Sequence, residues 1–360
     1  ELLRHIYEFE PDIIGLSCLF SGVFSNVLIT ADRIKSGFPQ IPVVTGGIHP
    51  TAFPKEILGK YSQIDYIVLG EGEISFWELI ESVVHKKRFL TSIDGIAYRN
   101  KGIVRLNPKT NFITDLDALP SIDYSILNIE EYHNMDTSNW YSPKGIEIGQ
   151  PFPIISSRSC PLKCNFCSMW LVHGARFRPR SAGNVLDEME HLYNDYDVRY
   201  FQFMDDNMTF DKRRALAICD GISKRGMNIQ FDTPNGLAIN RLDKELIEAM
   251  VDAGWISTAI AIESGSEYIR NEIIKKGLST EKIYEVAGVL AKQDRLFIKG
   301  FFIIGMPEET NESLEDTYEM IKNLPIDKLG LYFAAPYPHT ELYDYCAKHK
   351  LLRYEPEDYV

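Results

Sequence analysis

The sequence predicts an α/β protein in which a doubly wound parallel sheet precedes a (β/α)6 partial barrel. Buried strand-like runs alternate with amphipathic helical patterns over residues 1–90. The alternation stops over residues 91–150 and resumes about six times over residues 151–350. Repeated alternation of this kind is typical of parallel sheets covered by helices. Ligands bind such sheets at the carboxyl ends of the strands, so functional residues are expected there.

The composition is that of an ordinary globular protein. The chain has 360 residues, 45% hydrophobic and 25% charged, which is enough for two domains with sizeable cores. Its net charge of -13 argues against a nucleic-acid-binding surface. We find no run long enough for a transmembrane helix and no signal peptide, and we expect the natural start to lie upstream of Glu1. Six cysteines, three of them in one tight motif, favour the reducing cytoplasm over a disulfide framework.

The first segment contains three predicted strands, at 12–17, 41–45 and 65–69, each followed by a helix. The predicted helices cover 26–35, 52–61 and a stretch opened by a capping box of Ser75 and Glu78. Glycines after the strands let a large planar ligand approach the backbone, although a glycine there is more often only a turn. The candidate binding residues of these loops are Ser17, Leu19, Gly46, Gly47, His49, Gly70 and Gly72.

Residues 91–150 are predicted to connect two domains. A small hairpin is expected over 93–105, turning at 100–102, and an irregular, polar stretch follows it. Trp140 and Tyr141 lie in that stretch, where they are expected to pack on the next domain or to line a substrate entrance.

The second segment is organised around Cys160, Cys164 and Cys167, spaced C-x3-C-x2-C after a strand-like run at 152–157. Three thiolates on one short loop suit a [4Fe-4S] cluster, because each iron takes one external ligand and the fourth iron stays open to a small molecule. Two alternatives remain: a zinc knuckle, with His173 as fourth ligand, and three unrelated thiols.

Five further strands are predicted in this segment, at 199–204, 228–232, 256–262, 297–304 and 328–333. Ser181 and Asp211 are expected to cap the following helices, and Gly254 to end a helix over 242–253. Polar residues and a glycine stand at the carboxyl ends of these strands, where each one alone could be a cap or a turn. The candidate binding residues are Asp205, Asp206, Asn235, Glu263, Ser264 and Gly305.

The cysteine motif, with Phe166 before its last cysteine and Arg158-Ser-Cys-Pro161 at its start, resembles that of the radical S-adenosylmethionine superfamily, which usually has glycine in place of Ser159. The resemblance implies that the three cysteines hold a [4Fe-4S] cluster. The open iron of that cluster would chelate S-adenosylmethionine, and one electron would cleave it to methionine and a 5′-deoxyadenosyl radical. Phe166 is assigned to the cofactor site on the same resemblance.

The strand ends are similar to further motifs of the superfamily. Asp205-Asp206-Asn207 stands where the family often has Gly-Gly-Glu for the methionine amino group. The resemblance implies an adenosyl contact for Asn235, and ribose and methionine-carboxylate contacts for Glu263 and Ser264. Gly305 lies in a turn that resembles the adenine-binding motif, although Gly300 is one position early for that motif.

Ser17-x-Leu19, with 26 residues between Leu19 and Gly46-Gly47, resembles the S-x-L and G-G motifs of the cobalamin-binding domain. That family's histidine motif would lie upstream of Glu1, and we interpret His49 as a loop histidine near the ligand rather than a cobalt ligand. The resemblance therefore implies a cobalamin-binding, Rossmann-like domain at 1–90 that lacks its N-terminal part, and a hairpin and linker at 91–150. A radical S-adenosylmethionine partial TIM barrel at 151–350 and the start of a C-terminal, substrate-shaping segment at 351–360 would follow.

The resemblance implies an enzyme with three cofactors: the cluster, S-adenosylmethionine and cobalamin. We expect a C-methyltransferase, in which one S-adenosylmethionine methylates cobalamin and a second generates the radical that activates an unactivated carbon of a small-molecule substrate. One alternative is a radical cyclase or oxidative rearrangement enzyme with the same cofactors. The other is an iron–sulfur electron-transfer or sensor protein, which would need neither a barrel nor an open iron. The expected partners are the substrate and a reductant such as flavodoxin or ferredoxin.

Overall fold

The computed structural model describes residues 1–129, 131 and 149–353. These residues form two compact units. The first comprises Glu1–Ile113, Phe166–Ala175 and, as far as it is described, Pro336–Val360; the second comprises Thr114–Asn165 and Arg176–Ala335, with the same restriction. The predictions for Trp140 and Tyr141, and for 354–360 of the C-terminal segment, lie outside the described residues.

The elements are numbered in chain order over the described part of the chain. The strands are β1 (Ile14–Ser17), β2 (Val43–Gly46), β3 (Tyr66–Val68), β4 (Ile96–Asn100), β5 (Ile103–Asn107), β6 (Pro151–Ile154), β7 (Ser157–Arg158), β8 (Arg178–Pro179), β9 (Tyr200–Phe203), β10 (Gln230–Leu237), β11 (Trp255–Glu263), β12 (Phe297–Ile304) and β13 (Lys328–Phe333). The helices are α1 (Leu2–Phe9), α2 (Phe24–Gly37), α3 (Ile48–Ala52), α4 (Pro54–Lys60), α5 (Gly72–Val83), α6 (Trp170–His173), α7 (Ala182–Asp195), α8 (Lys212–Lys224), α9 (Lys244–Asp252), α10 (Thr280–Leu290), α11 (Asn311–Asn323) and α12 (Glu341–Lys348).

The first unit is built on a five-stranded sheet in the order β1-β2-β3-β4-β5. The first three strands are parallel, and β4 and β5 continue the sheet antiparallel. Val43 and Ile67 pack into one apolar cluster with Ile34 of α2 and Ile57 of α4. Val44 and Val68 pack into another, which holds Leu79 of α5. Since successive strand residues point to opposite faces, helices cover both faces of the sheet, as the predicted doubly wound fold requires.

The predicted hairpin is present, but it is part of the first sheet. Its turn places Lys101 at φ 51° and Gly102 at φ 79°. Two consecutive positive φ values are typical of the type I′ turn, whose twist matches that of the flanking strands. Strand β4 pairs antiparallel with β3, so the hairpin extends the sheet of the first unit instead of lying in the linker.

Two helix predictions in the first unit are wrong in detail. Helix α5 begins at Gly72, with Glu71 as its N-cap, and not at Ser75. Ser75 is buried and its hydroxyl accepts a hydrogen bond from Lys109 Nζ at 2.9 Å, so it cannot serve as a cap. The helix predicted over 52–61 is α4, which begins at Pro54, and the short helix α3 before it was not predicted; Pro54 separates the two because it cannot continue the hydrogen-bonding pattern of a preceding helix.

The second unit is built on a six-stranded parallel sheet in the order β13-β12-β11-β10-β9-β6. All five neighbouring pairs in it are parallel. The strands follow one another in the sheet as they do in the chain, which is the pattern of a (β/α)6 partial barrel. Phe201, Phe231 and Ile298 are buried in the same apolar cluster as Val185 of α7 and Leu246 of α9, so one face of the sheet packs against the helices.

The predicted helix ends of this unit are present. Ser181 and Asp211 each accept a hydrogen bond at 3.1 Å from the backbone N–H three residues later, which caps α7 and α8. Gly254 follows α9 with φ 105°, and a Cβ there would lie 2.2 Å from the carbonyl oxygen of Ile229. Only glycine fits both the left-handed conformation and this close approach of β10.

Candidate functional site

The cysteine loop follows β6 and the short strand β7 of the second unit. Cys160, Cys164 and Cys167 are half-buried thiols that form no disulfide. Cys160 and Cys164 belong to the second unit, whereas Cys167 and the neighbouring Phe166 belong to the segment that is grouped with the first. No three His, Cys, Asp or Glu side chains of the described residues gather closely enough to hold a metal ion. The assignment of the three thiols to one cluster therefore rests on the spacing and chemistry of the loop.

Asp205 is buried beneath the cysteine loop. Its carboxylate accepts hydrogen bonds from the N–H of Ser156 at 3.0 Å, from the Ser156 hydroxyl at 2.7 Å and from the Ser157 hydroxyl. Burial raises the pKa of Asp205, and these three hydrogen bonds together with Arg214 work against that rise. Both carboxylate oxygens are occupied, so the structure gives Asp205 a supporting role in place of the predicted cofactor contact.

Arg214, which was not predicted from the sequence as a site residue, completes this buried network. It is 7% exposed and donates to the backbone oxygens of Ser156 and Met208, each at 3.1 Å, and to the Ser156 hydroxyl. Arg214 thus ties the end of β6 to the loop that follows β9. An arginine on the first turn of an amphipathic helix gives no sequence signal for such a role, because that position is commonly exposed.

Asp206 and Asn207 face the cysteine loop directly. The carboxylate of Asp206 accepts the N–H of Ser159 at 2.8 Å, and Asn207 Nδ2 lies 3.7 Å from Cys160 Sγ. Ser159 has φ 71°, a left-handed conformation that glycine adopts most readily. This explains why glycine is usual at this position of the family motif and why Ser159 needs the carboxylate of Asp206 to hold it.

A buried ion pair lies beside the loop. Lys276 Nζ is 2.7 Å from Glu263 Oε1, with the two residues 8% and 5% exposed. Burial lowers the pKa of Lys276, but Glu263 and the nearby thiols of Cys164 and Cys160 outweigh this and raise it, so the ammonium keeps its charge. Glu263 was predicted from the sequence as a binding residue, whereas its partner Lys276 was not.

The remaining strand-end candidates differ in exposure. Ser264 is fully buried, and its hydroxyl lies 3.3 Å from that of Thr317, so it packs β11 against α11 and does not face a ligand. Asn235 is exposed near the end of β10 and donates to the carbonyl oxygen of Met204 at 3.0 Å. Gly305 is exposed at φ 84°, and its N–H donates to Glu309 Oε2 at 2.5 Å. Asn235 and Gly305 are therefore open to a ligand, whereas Ser264 is not.

The cobalamin-motif residues of the first unit lie at the carboxyl ends of its parallel strands. Ser17 and Gly46 pair across β1 and β2, and Leu19 beyond β1 is 54% exposed. Gly47 has φ 111°, and a Cβ there would meet the carbonyl oxygen of Cys18 at 2.4 Å. A Cβ at Gly46 would meet only ordinary contacts, the nearest at 3.4 Å. The glycine part of this edge is thus open and carries little side-chain bulk, as close approach of a large planar ring requires.

His49 is not the loop histidine that was predicted. It lies in α3, is 1% exposed, and its ring packs between Phe24 and Phe53, with ring centroids 4.4 and 5.1 Å away. Nδ1 is 2.9 Å from the Ser21 hydroxyl, and Nε2 has no hydrogen-bond partner among the described residues. Burial lowers the pKa of His49 to about 4. The ring is therefore neutral near pH 7 and part of the packing beneath the glycine loop.

Gly70 and Gly72 have structural roles in the first unit. The N–H of Gly70 donates to the Thr51 hydroxyl at 3.0 Å. Gly70 has φ 63°, and a Cβ there would lie 3.2 Å from the carbonyl oxygen of Val172 in α6. The segment after the cysteines therefore packs directly on the loop after β3. Gly72 is the first residue of α5.

The described helices include none that is long and apolar enough to cross a bilayer.

The comparisons with known proteins agree with this architecture. Residues 1–80 match the B12 binding domain family, and residues 154–321 match the Radical SAM superfamily. An uncharacterized methyltransferase of Pyrococcus horikoshii is 32% identical over 98% of this chain and 73% of its own length. The anaerobic magnesium-protoporphyrin IX monomethyl ester cyclase of Rubrivivax gelatinosus is 28% identical over 95% of this chain and 60% of its own.

Among solved structures, the radical S-adenosylmethionine methyltransferase TsrM of Kitasatospora setae, with cobalamin and a [4Fe-4S] cluster bound, superposes with a TM-score of 0.76. The superposition covers 97% of this chain and 70% of that chain. The two sequences are 17% identical, so this likeness concerns the fold alone.

The fold and the cysteine loop define a two-unit α/β enzyme that carries an iron–sulfur loop in a partial barrel and a cobalamin-type sheet. The chain belongs to the cobalamin-binding branch of the radical S-adenosylmethionine superfamily. Its cofactors are a [4Fe-4S] cluster, S-adenosylmethionine and cobalamin, which confirms the cofactors and the fold class predicted from the sequence. The three reduced thiols, the neighbouring cation Lys276 and the open glycine edge fit these groups.

Proposed function

We propose that this protein transfers a methyl group to an unactivated carbon of a small-molecule substrate. The observation that carries the proposal is the presence, on one chain, of the three-cysteine loop and the open S-x-L/G-G edge. The methyltransferase name of a similar protein in Pyrococcus horikoshii supports it. When bound, the cluster and cobalamin supply one-electron cleavage of S-adenosylmethionine and carriage of a methyl group.

The chain's own residues hold and position these groups. Cys160, Cys164 and Cys167 are the cluster ligands, and Asp206 and Asn207 hold the loop that carries them. The proposed residues that line the S-adenosylmethionine side are Phe166, Asn235, Glu263 and Gly305. The proposed residues that face the corrin are Ser17, Leu19, Gly46, Gly47 and Gly72.

Per turnover, one substrate C–H bond, two S-adenosylmethionines and two electrons give one C–CH3 bond, one S-adenosylhomocysteine, one methionine and one 5′-deoxyadenosine. The electrons come from an external reductant, for which we propose a flavodoxin or ferredoxin. A cytoplasmic location fits this requirement and the lack of a disulfide among the six cysteines, all of which lie in the described residues. We also propose that the cobalamin domain extends to Ile113, so that it includes the β4–β5 hairpin, and that the barrel begins near residue 151.

The decisive experiment counts products. With substrate, S-adenosylhomocysteine and 5′-deoxyadenosine should appear in a ratio of about one to one by mass spectrometry. Without substrate, chemically reduced holoenzyme should still release about one S-adenosylhomocysteine per bound cobalamin in a single turnover. The Cys167→Ala variant should form no 5′-deoxyadenosine, because each iron of the cluster needs its ligand.

The cyclase is the second candidate, and the likeness to the Rubrivivax gelatinosus cyclase favours it. Ring formation moves no methyl group, so such an enzyme would release 5′-deoxyadenosine with little S-adenosylhomocysteine in either assay. That result would replace methyl transfer with the cyclase as the function of this chain.

A further inference from the structure

Lys276 is a buried cation that forms an ion pair with Glu263 in the described part of the chain. It is 8% exposed, and its ammonium contacts Glu263, itself 5% exposed, at 2.7 Å. A buried ammonium is costly unless it is compensated, so a lysine in this position is held there by the charges around it. Glu263 supplies one of these charges from the last residue of β11, where it has φ 73°.

The backbone around Lys276 is fixed by a second buried cation. Arg270 is 0% exposed and donates to the carbonyl oxygens of Ser264 at 2.6 Å and Leu278 at 2.7 Å. It thereby ties the end of β11 to the segment that precedes α10. Since this segment carries Lys276, the ammonium is held in place by its own backbone as well as by Glu263.

The same segment is joined to the cysteine loop. The N–H of Asn165, the residue after Cys164, donates to the carbonyl oxygen of Ile274 at 3.0 Å. This bond joins the residue after Cys164 to a residue two positions before Lys276, which puts Lys276 beside the cysteine loop. Burial lowers the pKa of Lys276, and the charges of Glu263 and of the Cys164 and Cys160 thiolates together raise it. The second unit therefore places a fixed positive charge next to two of its cluster ligands.

We infer that Lys276 is a charge-compensating residue that raises the reduction potential of the cluster on Cys160 and Cys164, and that Glu263 moderates its effect. Reduction adds one negative charge to the cluster, and a nearby buried cation stabilises that charge more than it stabilises the oxidised form. The charge of Glu263 acts in the opposite direction. This inference rests on the cluster assignment and not on methyl transfer.

The test measures the midpoint potential of the reconstituted cluster, without substrate or S-adenosylmethionine, by EPR-monitored redox titration. Lys276→Met keeps the length of the side chain and removes its charge. We expect the equilibrium constant for reduction of its cluster to fall by about tenfold, which lowers the midpoint potential by about 59 mV for a one-electron couple. Lys276→Arg keeps the charge and should stay close to the wild-type potential.

Glu263→Gln should change the midpoint potential in the opposite direction. It leaves Lys276 without its counter-charge, so the potential should rise above the wild-type value. A purely structural role would lower cluster content in all these variants and would not move their potentials in opposite directions. Iron and sulfide analysis of each variant separates the two effects.

Equal potentials in wild type, Lys276→Met and Glu263→Gln, at full iron content, would overturn the inference. If Lys276→Met does not retain a cluster, the Glu263→Gln and Lys276→Arg potentials still decide, because an unchanged Glu263→Gln potential contradicts the same electrostatic argument. Methyl transfer is judged by product ratios, so the failure of one proposal leaves the other standing.

Discussion

Individual backbone conformations at the cysteine loop show where the sequence is constrained. Ser159 and Glu263 both have positive φ values, 71° and 73°, although neither is glycine. Non-glycine residues in this region are strained unless the surroundings hold them. Asp206 holds Ser159 and Lys276 holds Glu263, so each strained residue is tied to a polar partner at the candidate site.

Ser159→Gly should keep a full cluster and change the free energy of unfolding by less than about 1 kcal/mol. Relief of the left-handed strain offsets the extra freedom of glycine in the unfolded chain. Ser159→Val should lose more than about 2 kcal/mol, because a β-branched residue fits φ 71° poorly. Denaturant unfolding and iron analysis measure both variants. Equal stability of the valine variant would contradict this account of the loop.

His49 should make the first unit sensitive to acid. Its pKa is lowered to about 4 by burial, whereas an unfolded chain has the ordinary value near 6.5. The unfolded state therefore binds the additional proton between these values, and stability falls as pH decreases through that window. The loss reaches up to about 3 kcal/mol at the acidic end, at about 1.36 kcal/mol per pKa unit.

The measurement for His49 is the free energy of unfolding at pH 7 and pH 4.5. His49→Gln cannot take up the proton, so its loss of stability between the two values should be smaller than that of the wild type. Equal losses of stability in the two proteins would show that His49 is not responsible for the pH dependence of stability.

At the scale of elements, the two glycines at the carboxyl end of β2 have different roles. Gly47 is required by the fold, because its φ of 111° and the carbonyl oxygen of Cys18 exclude a Cβ. Gly46 has room for a Cβ, the nearest atom being 3.4 Å away. A variant at Gly47 that lost cobalamin would therefore report on misfolding, whereas a variant at Gly46 reports on the ligand.

Gly46→Val should fold with nearly wild-type stability and bind much less cobalamin, since its side chain stands at the sheet edge that the ring approaches. Gly47→Ala should be destabilised by roughly 2 kcal/mol or more, because backbone must move to admit the Cβ. Thermal unfolding and visible absorbance of bound cobalamin measure both. Full cobalamin loading in Gly46→Val would place the ring elsewhere.

At the scale of the whole molecule, the described chain has separate apolar clusters in its two units. The largest joins helices and barrel strands of the second unit, and two smaller ones lie on the two faces of the first sheet. Each unit therefore has its own core and can keep its fold when a cofactor of the other is lost.

Cys164→Ala should therefore abolish the [4Fe-4S] cluster while leaving about one cobalamin per chain. Iron and sulfide analysis and the visible spectrum measure the two cofactors on the same sample. Cys346→Ala is the matched control, because its thiol lies on α12, outside the motif, and should leave both cofactors in place. Loss of cobalamin together with the cluster would contradict independent loading.

The sequence alone determined the fold class, the cysteine motif and most strands, for a physical reason. Buried parallel strands and amphipathic helices leave local patterns of polarity, and β12 and β13 were predicted at their observed bounds. Caps at Ser181 and Asp211 are equally local, since cap and N–H lie three residues apart. The spacing of the three cysteines is a property of one short loop, so the motif can be recognised without the tertiary structure.

Only the tertiary structure decided which candidates are open to a ligand and which support the fold. Asp205, Ser264 and His49 have side chains suited to binding, but they are buried by residues distant in sequence. Lys276 and Arg214 gave no local signal, because each acts through partners that folding brings to it from other strands and loops. Burial and pairing of charge depend on the packing of the whole unit, and that information is absent from any single stretch of the chain.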